Sequence, residues 1–377
     1  MFSTIPVSWR DGYSQNVTLT ELNNDLVLLH APAIVIFTVL MVIGVLGNVV
    51  VLIIFIPSPS SLQKVCILWL AVIDLVACCV GIPILLVSMY LPYHFPSEKL
   101  CQSVRFMHVF LVSNAIFILV FIAVERQRTL GKLGQRTSVT RTNVICCIAC
   151  FAGGVIAAPS VIVYGNRTVQ TGVYNMTGTE CFVQDHLENA LLAKLYFVFQ
   201  LVLTVVCLVI MIIMYVKIGR MLKWHKTFRK KSLRLSTSSI ATSSSRLSTN
   251  GRHAPSTITD SHNSCQWNSR RSKSHKPRQD ADTISDEMTK MFFAVTVIFF
   301  FSFIPHLIII VMTQFNKKFS QDMTSSDIVF YNIFLRSFVI NNVTNPIVYL
   351  VFMLNFRKAC RKLFCRCFHV KETYSVT

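Results

Sequence analysis

Seven stretches of this chain are long enough to cross a bilayer and carry almost no charge. A spanning helix needs about 20 apolar residues. Residues 26–63 hold no Asp, Glu, Lys or Arg, and 65–97 hold one, Asp74. Residues 106–124, 142–166, 195–216 and 291–316 hold none, and 328–356 hold one, Arg336. The third stretch is short, but carried on to Cys101 and Arg126 it covers roughly 37 Å at about 1.5 Å per residue. Composition agrees: the chain is 53% hydrophobic and 14% charged, against about 25% charged in soluble domains. The net charge of +19 lies between the apolar runs, which points to a membrane and away from nucleic acid. The expected fold is an all-α membrane protein, a seven-transmembrane helix bundle.

Basic residues orient the bundle. With the N-terminus outside, the inner segments hold Lys64, residues 126–141, 217–290 and the tail after Asn355, about three quarters of the 36 Lys and Arg. That is the sign the positive-inside rule predicts, and the short loop with Arg126, Arg128, Lys132, Arg136 and Arg141 weighs most. Three sequons, at Asn16, Asn166 and Asn175, then fall outside as candidate glycosylation sites. Only Cys101 and Cys181 face the oxidising side, so their one possible partner is each other. Residues 1–30 show no positively charged region followed by an apolar core, so the first span is expected to act as the insertion signal.

The chain divides into an outer tail (1–30), five spans with their loops (31–222), a third inner loop (223–284), two spans (285–352) and a tail (353–377). The long loop is rich in Ser, Thr, Lys and Arg and poor in large apolar residues, so disorder is expected there, with the fifth and sixth helices extended at its ends. Ser232, Ser236, Ser248, Ser272 and Ser274 lie near basic residues and are candidate phosphorylation sites. In the tail, Phe356, Cys360, Leu363 and Cys367 recur on one helical face. A short amphipathic eighth helix is expected there, with Cys360, Cys365 and Cys367 as candidate palmitoylation sites.

Polar residues inside spans ask for a partner or a function. Asn48, Asp74, Asn341, Asn342 and Asn345 are such a set. They read either as a structural hydrogen-bond cluster or as a Na⁺ site near Asp74, since hard cations take oxygen ligands. No other cofactor or metal site is expected.

Several of these residues carry a resemblance. Gly47-Asn48-Val49-Val50-Val51, Leu70-Ala71-Val72-Ile73-Asp74, Glu125-Arg126-Gln127, Phe299 through Phe303-Ile304-Pro305, and Asn345-Pro346-Ile347-Val348-Tyr349 occur in order, one per expected span, with Phe356-Arg357 after them. Together they resemble the rhodopsin-like G-protein-coupled receptors over about residues 47–367. The departures are Gln127 for a Tyr, Ala149 or Cys150 for the fourth-span Trp, Cys207 for a fifth-span Pro, and Phe303 for a Trp. Ala115 stands where a Ser often joins the sodium site. The chain resembles a divergent member.

The resemblance implies a switch made of Glu125, Arg126, Tyr215, Phe299, Phe303, Pro305, Asn345, Pro346 and Tyr349. Glu125 would hold Arg126 at rest, and Arg126 would turn to Tyr215 when the sixth helix swings out and a G protein enters. Pro305 removes a backbone bond and permits the bend. For the ligand pocket it implies Arg105, His108, Gln200, Phe303, His306, Tyr331, Leu335 and Arg336. His108 does not suit an amine, and Val339 stands nearest to the place of a retinal lysine. The expected ligand is an extracellular peptide, with a lipid or other small molecule, or a ligand-free membrane scaffold, as alternatives. Arg336 either reaches headgroups or an outer acid such as Glu180, or joins Arg105 and His108 in receiving an acidic group. Heterotrimeric G protein, arrestin and receptor kinases are the expected inner partners, and the plasma membrane the expected location. No nucleophile, base and oxyanion set, no repeated halves and no ring of charges is seen, so an enzyme, transporter or channel is not expected.

Overall fold

In hydrocarbon each backbone N–H and C=O must find its partner within the protein, so apolar runs of this length become helices. The computed structural model describes residues 6–10, 12–131, 137–187, 191–245, 276–315 and 323–372. In chain order these form α1 (Val7–Arg10), α2 (Leu19–Phe55), α3 (Leu62–Val76), α4 (Ile82–Tyr90), α5 (Glu98–Gly131), α6 (Val139–Ala157) and α7 (Ser160–Val163). Strands β1 (Tyr164–Gln170) and β2 (Thr177–Val183) follow, then α8 (Leu191–Ser245), α9 (Lys276–Phe315), α10 (Ser325–Leu335), α11 (Val339–Phe352) and α12 (Leu354–Glu372). The helices begin where the sequence caps them. Thr18 and Glu21 form a capping box on α2, Thr324 and Asp327 form one on α10, and Ser61 and Ser138 cap α3 and α6.

Six segments are long and apolar enough to cross a bilayer: Leu19–Phe55, Leu62–Tyr90, Glu98–Thr129, Val139–Val163, Leu191–Trp224 and Glu287–Thr313. The second joins α3 to α4 through a π turn at Ala77–Gly81. The seventh crossing is divided. Helices α10 and α11 both pack against α2 and α9, one above the other, with a break at 336–338. The outward faces stay apolar, with Leu46, Phe151 and Phe301 well exposed. A contiguous apolar surface of that extent is what a bilayer covers.

Close helix approach needs small residues, because packing and not water exclusion holds helices together in lipid. Gly47 shows this: a Cβ there would lie 2.9 Å from Cγ of Pro346, so α2 and α11 touch backbone to ring.

The hairpin is a feature that the all-α expectation did not include. β1 and β2 pair antiparallel from Tyr164 opposite Val183 to Gln170 opposite Thr177. Residues 93–95 extend the sheet, with Thr179 N donating to the Tyr93 carbonyl (2.8 Å) and Phe95 N to the Thr179 carbonyl (2.9 Å). The Cys101–Cys181 disulfide, Cα atoms 5.3 Å apart, ties β2 to the start of α5. The hairpin is thus held through β2 over one end of the bundle.

At the other end α12 turns 101° from α11. Phe356 and Cys360 are buried, Phe356 stacking on Phe55 at 5.7 Å, while Arg357, Lys358, Arg361 and Lys362 are exposed. This is the short amphipathic helix expected from the sequence. α8 runs on into the long loop as far as Ser245, and α9 starts within it at Lys276. Ser248, Ser272 and Ser274 lie outside the described residues, and so do the side chains of Ser232 and Ser236.

Candidate functional site

Three groups of the expected site residues fall into place along the bundle axis. In the middle, Asn345 Nδ2 donates to Asp74 Oδ2 at 2.6 Å, joining α11 to α3. Asn48 Nδ2 donates to the Gly44 carbonyl (3.0 Å) and the Asn342 carbonyl (2.9 Å), joining α2 to α11. So Asn342 enters the cluster through its backbone. Asp74 Oδ1, Asn48 Oδ1 and Asn341 Oδ1 are buried without a hydrogen-bond partner among the described residues. A donor set of one carboxylate and two amide oxygens fits a hard monovalent cation or water.

Toward α12 lies the second group. Glu125 and Arg126 are both buried at the inner part of α5. The Glu125 carboxylate accepts from Thr137 twice, from the amide at 3.2 Å and from the hydroxyl at 2.8 Å. The Arg126 guanidinium lies over the Phe292 ring, 5.0 Å from its centroid. Tyr215 Oη donates to the Phe292 carbonyl (3.0 Å) and accepts from Thr296 Oγ1 (3.0 Å). These contacts stand beside the expected hold of Glu125 on Arg126 at rest and its turn to Tyr215. α5 and α8 are both fastened to one residue of α9, Phe292, and Glu125 fastens the segment before α6. Tyr349 is fully buried, its ring 6.1 Å from Phe356. Neither Thr137 nor Phe292 carries a sequence signal that marks it, because both act through contacts far along the chain.

Beneath the hairpin is the third group. A cavity of about 1060 Å³ is lined by all eight residues expected to form a ligand pocket. Arg105 donates to the Cys181 carbonyl at 2.9 Å and lies 5.1 Å from the Tyr164 ring centroid, so it is bound to the hairpin. His108, His306 and Phe338 form an aromatic cluster, with ring centroids 4.6 Å apart for His108–Phe338 and 4.9 Å for His306–Phe338. Phe338 was not among the expected pocket residues. Phe303 stacks on Phe299 at 5.1 Å and meets His306 at 5.4 Å.

Arg336 is buried at the C-cap of α10, against the expectation that it reach headgroups. Its Nη1 donates to Asn332 Oδ1 at 2.6 Å. Asn332 stands one turn back, a spacing visible in sequence, and its own Nδ2 donates to the Ile328 carbonyl at 2.8 Å. Glu180, the outer acid considered for Arg336, accepts from Arg167 at 2.6 Å. The broken seventh crossing is bonded to α9 on both sides of Pro305. His306 Nδ1 donates to the Leu335 carbonyl, and Ser337 Oγ donates to the Ser302 carbonyl (2.6 Å). The His306 bond satisfies a carbonyl at the end of α10, and the Ser337 bond ties the break to the turn just before Pro305.

The modification candidates separate by exposure. Asn16 and Asn175 are exposed, whereas Asn166 is half-buried in β1 with its Oδ1 buried. Of the candidate acyl sites Cys365 is exposed, whereas Cys360 packs into the core beside Phe356. The Cys367 side chain lies outside the described residues.

Residues 47–349 match the family described as 7 transmembrane receptor (rhodopsin family). Among solved structures, the crystal structure of squid rhodopsin aligns with a TM-score of 0.63 over 97% of this chain and 90% of that one. The identity is 14%, so this likeness is one of fold. A comparison with curated proteins finds no match. The matched segment runs from the first-span Gly47 to the seventh-span Tyr349 and takes in the polar core, the Phe292 clamp and the cavity. The chain is a multi-pass membrane protein of a receptor family, not an enzyme, and belongs to the rhodopsin family of seven-transmembrane receptors.

Proposed function

We propose that the chain is a plasma-membrane receptor with its N-terminus and hairpin outside, which takes a peptide in the hairpin-walled cavity and activates a heterotrimeric G protein at the opposite end. The observation that carries this reading is the cavity itself. Its volume of about 1060 Å³ lies at or above the upper end of the roughly 300–1,000 Å³ typical of small-ligand sites. It runs from the hairpin residues Glu180 and Phe182 down to Phe299 and Phe303 on α9. A ligand there touches the helix whose outward swing the family uses. It shifts the population only by its differential affinity for the two states.

Arrestin and receptor kinases are further partners, acting on the basic loop 223–284. The Asp74 cluster serves as a Na⁺ site that favours the resting state. The apolar lower wall, with Val112, Ile116 and Leu203, supports a lipid or small-molecule ligand as the second reading. A neuropeptide library applied to cells expressing the chain, read by calcium and cAMP and then by nucleotide exchange on membranes, tests the choice. A peptide that drives exchange in the wild type and not in Arg126→Ala supports it. Exchange driven by lipids while every peptide is silent would favour the second reading.

A further inference from the structure

We infer that the cavity holds a hydrogen-bond-accepting subsite at its α2–α4 corner, where Nε2 of His30 takes an uncharged N–H or O–H group of the ligand. The inference rests on the cavity being the ligand site. It begins at a helix end. The last carbonyls of a helix have no partner within it, and at the end of α4 two residues of α2 meet them. Asn23 Nδ2 donates to the Tyr90 carbonyl (3.2 Å), and Asn23 Oδ1 accepts from Tyr93 N (3.2 Å). His30, about two turns further along α2, has its Nδ1 3.0 Å from the Met89 carbonyl. A carbonyl can only accept, so Nδ1 carries the proton. In a neutral imidazole that fixes the tautomer and leaves Nε2 as an acceptor.

Asn23 uses both ends of its side chain, and His30 uses one. His30 is 4% exposed, and its Nε2 is buried with no hydrogen-bond partner among the described residues. Capping of α4 accounts for Nδ1 and leaves Nε2 without a task. His30 also lines the cavity, together with Ile82, Leu85 and Val339, which belong to the apolar cluster packed around Met89. Those side chains offer no donor to Nε2, and an apolar wall makes a charged group costly to bring in. The ligand group that fits is therefore neutral: a hydroxyl, or an amide N–H such as a peptide backbone carries. A buried acceptor of this kind is met in the bound state alone, so it favours a ligand that brings the donor over an analogue that lacks it.

The test needs neither the natural ligand nor signalling. Purified full-length receptor is heated with two matched pairs of probes. One pair is 4-phenylbutan-1-ol and its methyl ether; the other is N-(3-phenylpropyl)acetamide and its N-methyl derivative. Unfolding is followed by labelling of the buried thiols Cys66 and Cys146. The donor-bearing member of at least one pair is expected to raise the midpoint and to bind roughly two- to tenfold more tightly than its methylated partner. His30→Asn keeps a donor for the Met89 carbonyl and has no atom in the place of Nε2. It is expected to unfold near the wild-type midpoint and to lose the donor preference, while His30→Gln, which reaches that place, keeps part of it. Equal midpoints within both pairs in the wild type, including no shift at all, would overturn the subsite, and that comparison needs no variant. A donor preference that survives in His30→Asn would also overturn it. Nitrogen NMR of the histidine-labelled wild type, with His30 assigned by its loss in His30→Gln, is expected to show a bare Nε2; a protonated Nε2 would overturn the subsite. The two pairs show whether a hydroxyl or an amide N–H is the better source of the donor. Failure of every peptide in the signalling screen, with the donor preference intact, would remove the peptide reading and leave the subsite. A peptide agonist found where the donor preference is absent would remove the subsite and leave the peptide reading.

Discussion

Phe292→Leu should raise ligand-independent signalling. Phe292 is 1% exposed, its ring lies under the Arg126 guanidinium at 5.0 Å, and its carbonyl accepts from Tyr215. Leucine keeps most of the buried apolar volume and keeps the carbonyl, so the substitution removes mainly the aromatic face. A cation–π contact is worth about 0.5 kcal/mol when exposed and about 2 kcal/mol when desolvated. This one joins α5 to α9, so an outward swing of α9 breaks it and its energy belongs to the resting state alone. Its loss therefore moves the equilibrium toward the active state by roughly 2-fold to 30-fold. Phe292→Ala would lower expression as well, since emptying such a site typically costs about 3–5 kcal/mol. The assay is nucleotide exchange without agonist, normalised to surface receptor, for wild type, Phe292→Leu and Phe292→Tyr. Tyrosine should behave like wild type. A Leu variant at normal surface level with unchanged basal exchange would refute the clamp.

Thr137→Val keeps the amide bond to Glu125 and loses the 2.8 Å hydroxyl bond; a bond to a charged acceptor is worth about 1.5–3 kcal/mol, so basal exchange should rise by about tenfold to a hundredfold, while Thr137→Ser should stay near wild type. Gly47→Leu should cut surface expression sharply, because even a Cβ meets Pro346 at 2.9 Å; normal expression and thermal stability would show that α2 and α11 do not need this approach. Raising Na⁺ at constant ionic strength should weaken agonist binding several-fold in the wild type and not in Asp74→Asn, as radioligand competition would read. Palmitate-analogue labelling should fall in Cys365→Ser and stay unchanged in Cys360→Ser, whose parent thiol is buried.

The sequence carried the parts of this fold that depend on composition within one segment. Long uncharged runs marked the crossings, and basic loops and Cys101 with Cys181 marked the ends. Asn345-Pro346 and Asp74 marked the polar core because polar groups in hydrocarbon demand an explanation. The break at 336–338 was not legible. The run from Ile328 to Phe356 is continuous, and Arg336-Ser337-Phe338 contains no glycine or proline. What makes the break tolerable is remote: Ser337 bonded to Ser302 and His306 bonded to Leu335. The hairpin was missed for a related reason, since its outer edge is completed by residues 93–95 from another loop. Cys360 was read as membrane-facing because sequence shows which residues share a helical face but not which neighbour that face meets. Phe55 supplies that neighbour through Phe356.

These contacts also connect the two ends of the bundle. Arg336 and the carbonyl of Leu335 occupy the same break, and that carbonyl is bonded to His306, one residue beyond Pro305. His306 touches Phe303, which stacks on Phe299. Seven residues further toward the N-terminus of α9, two helical turns away, sits Phe292 with Arg126 and Tyr215 fastened to it. A proline-weakened helix is thus bonded above to the ligand cavity and below to the resting clamp. A ligand that shifts the break would act through Leu335 and Ser337 on α9 at the proline, where the helix bends most readily. Coupling of this kind requires the upper and lower contacts to compete for the position of one element. It follows that Ser337→Ala, which removes a 2.6 Å bond to Ser302 without touching the ligand-bearing side chains, should loosen that competition. A charge-neutral buried bond contributes about 0.5–1.5 kcal/mol, so agonist-driven exchange should fall two- to about tenfold in potency, while agonist affinity measured without G protein stays at the wild-type level. A variant that lost affinity in step with potency would mean that Ser337 shapes the ligand cavity itself, and the route through α9 would be wrong.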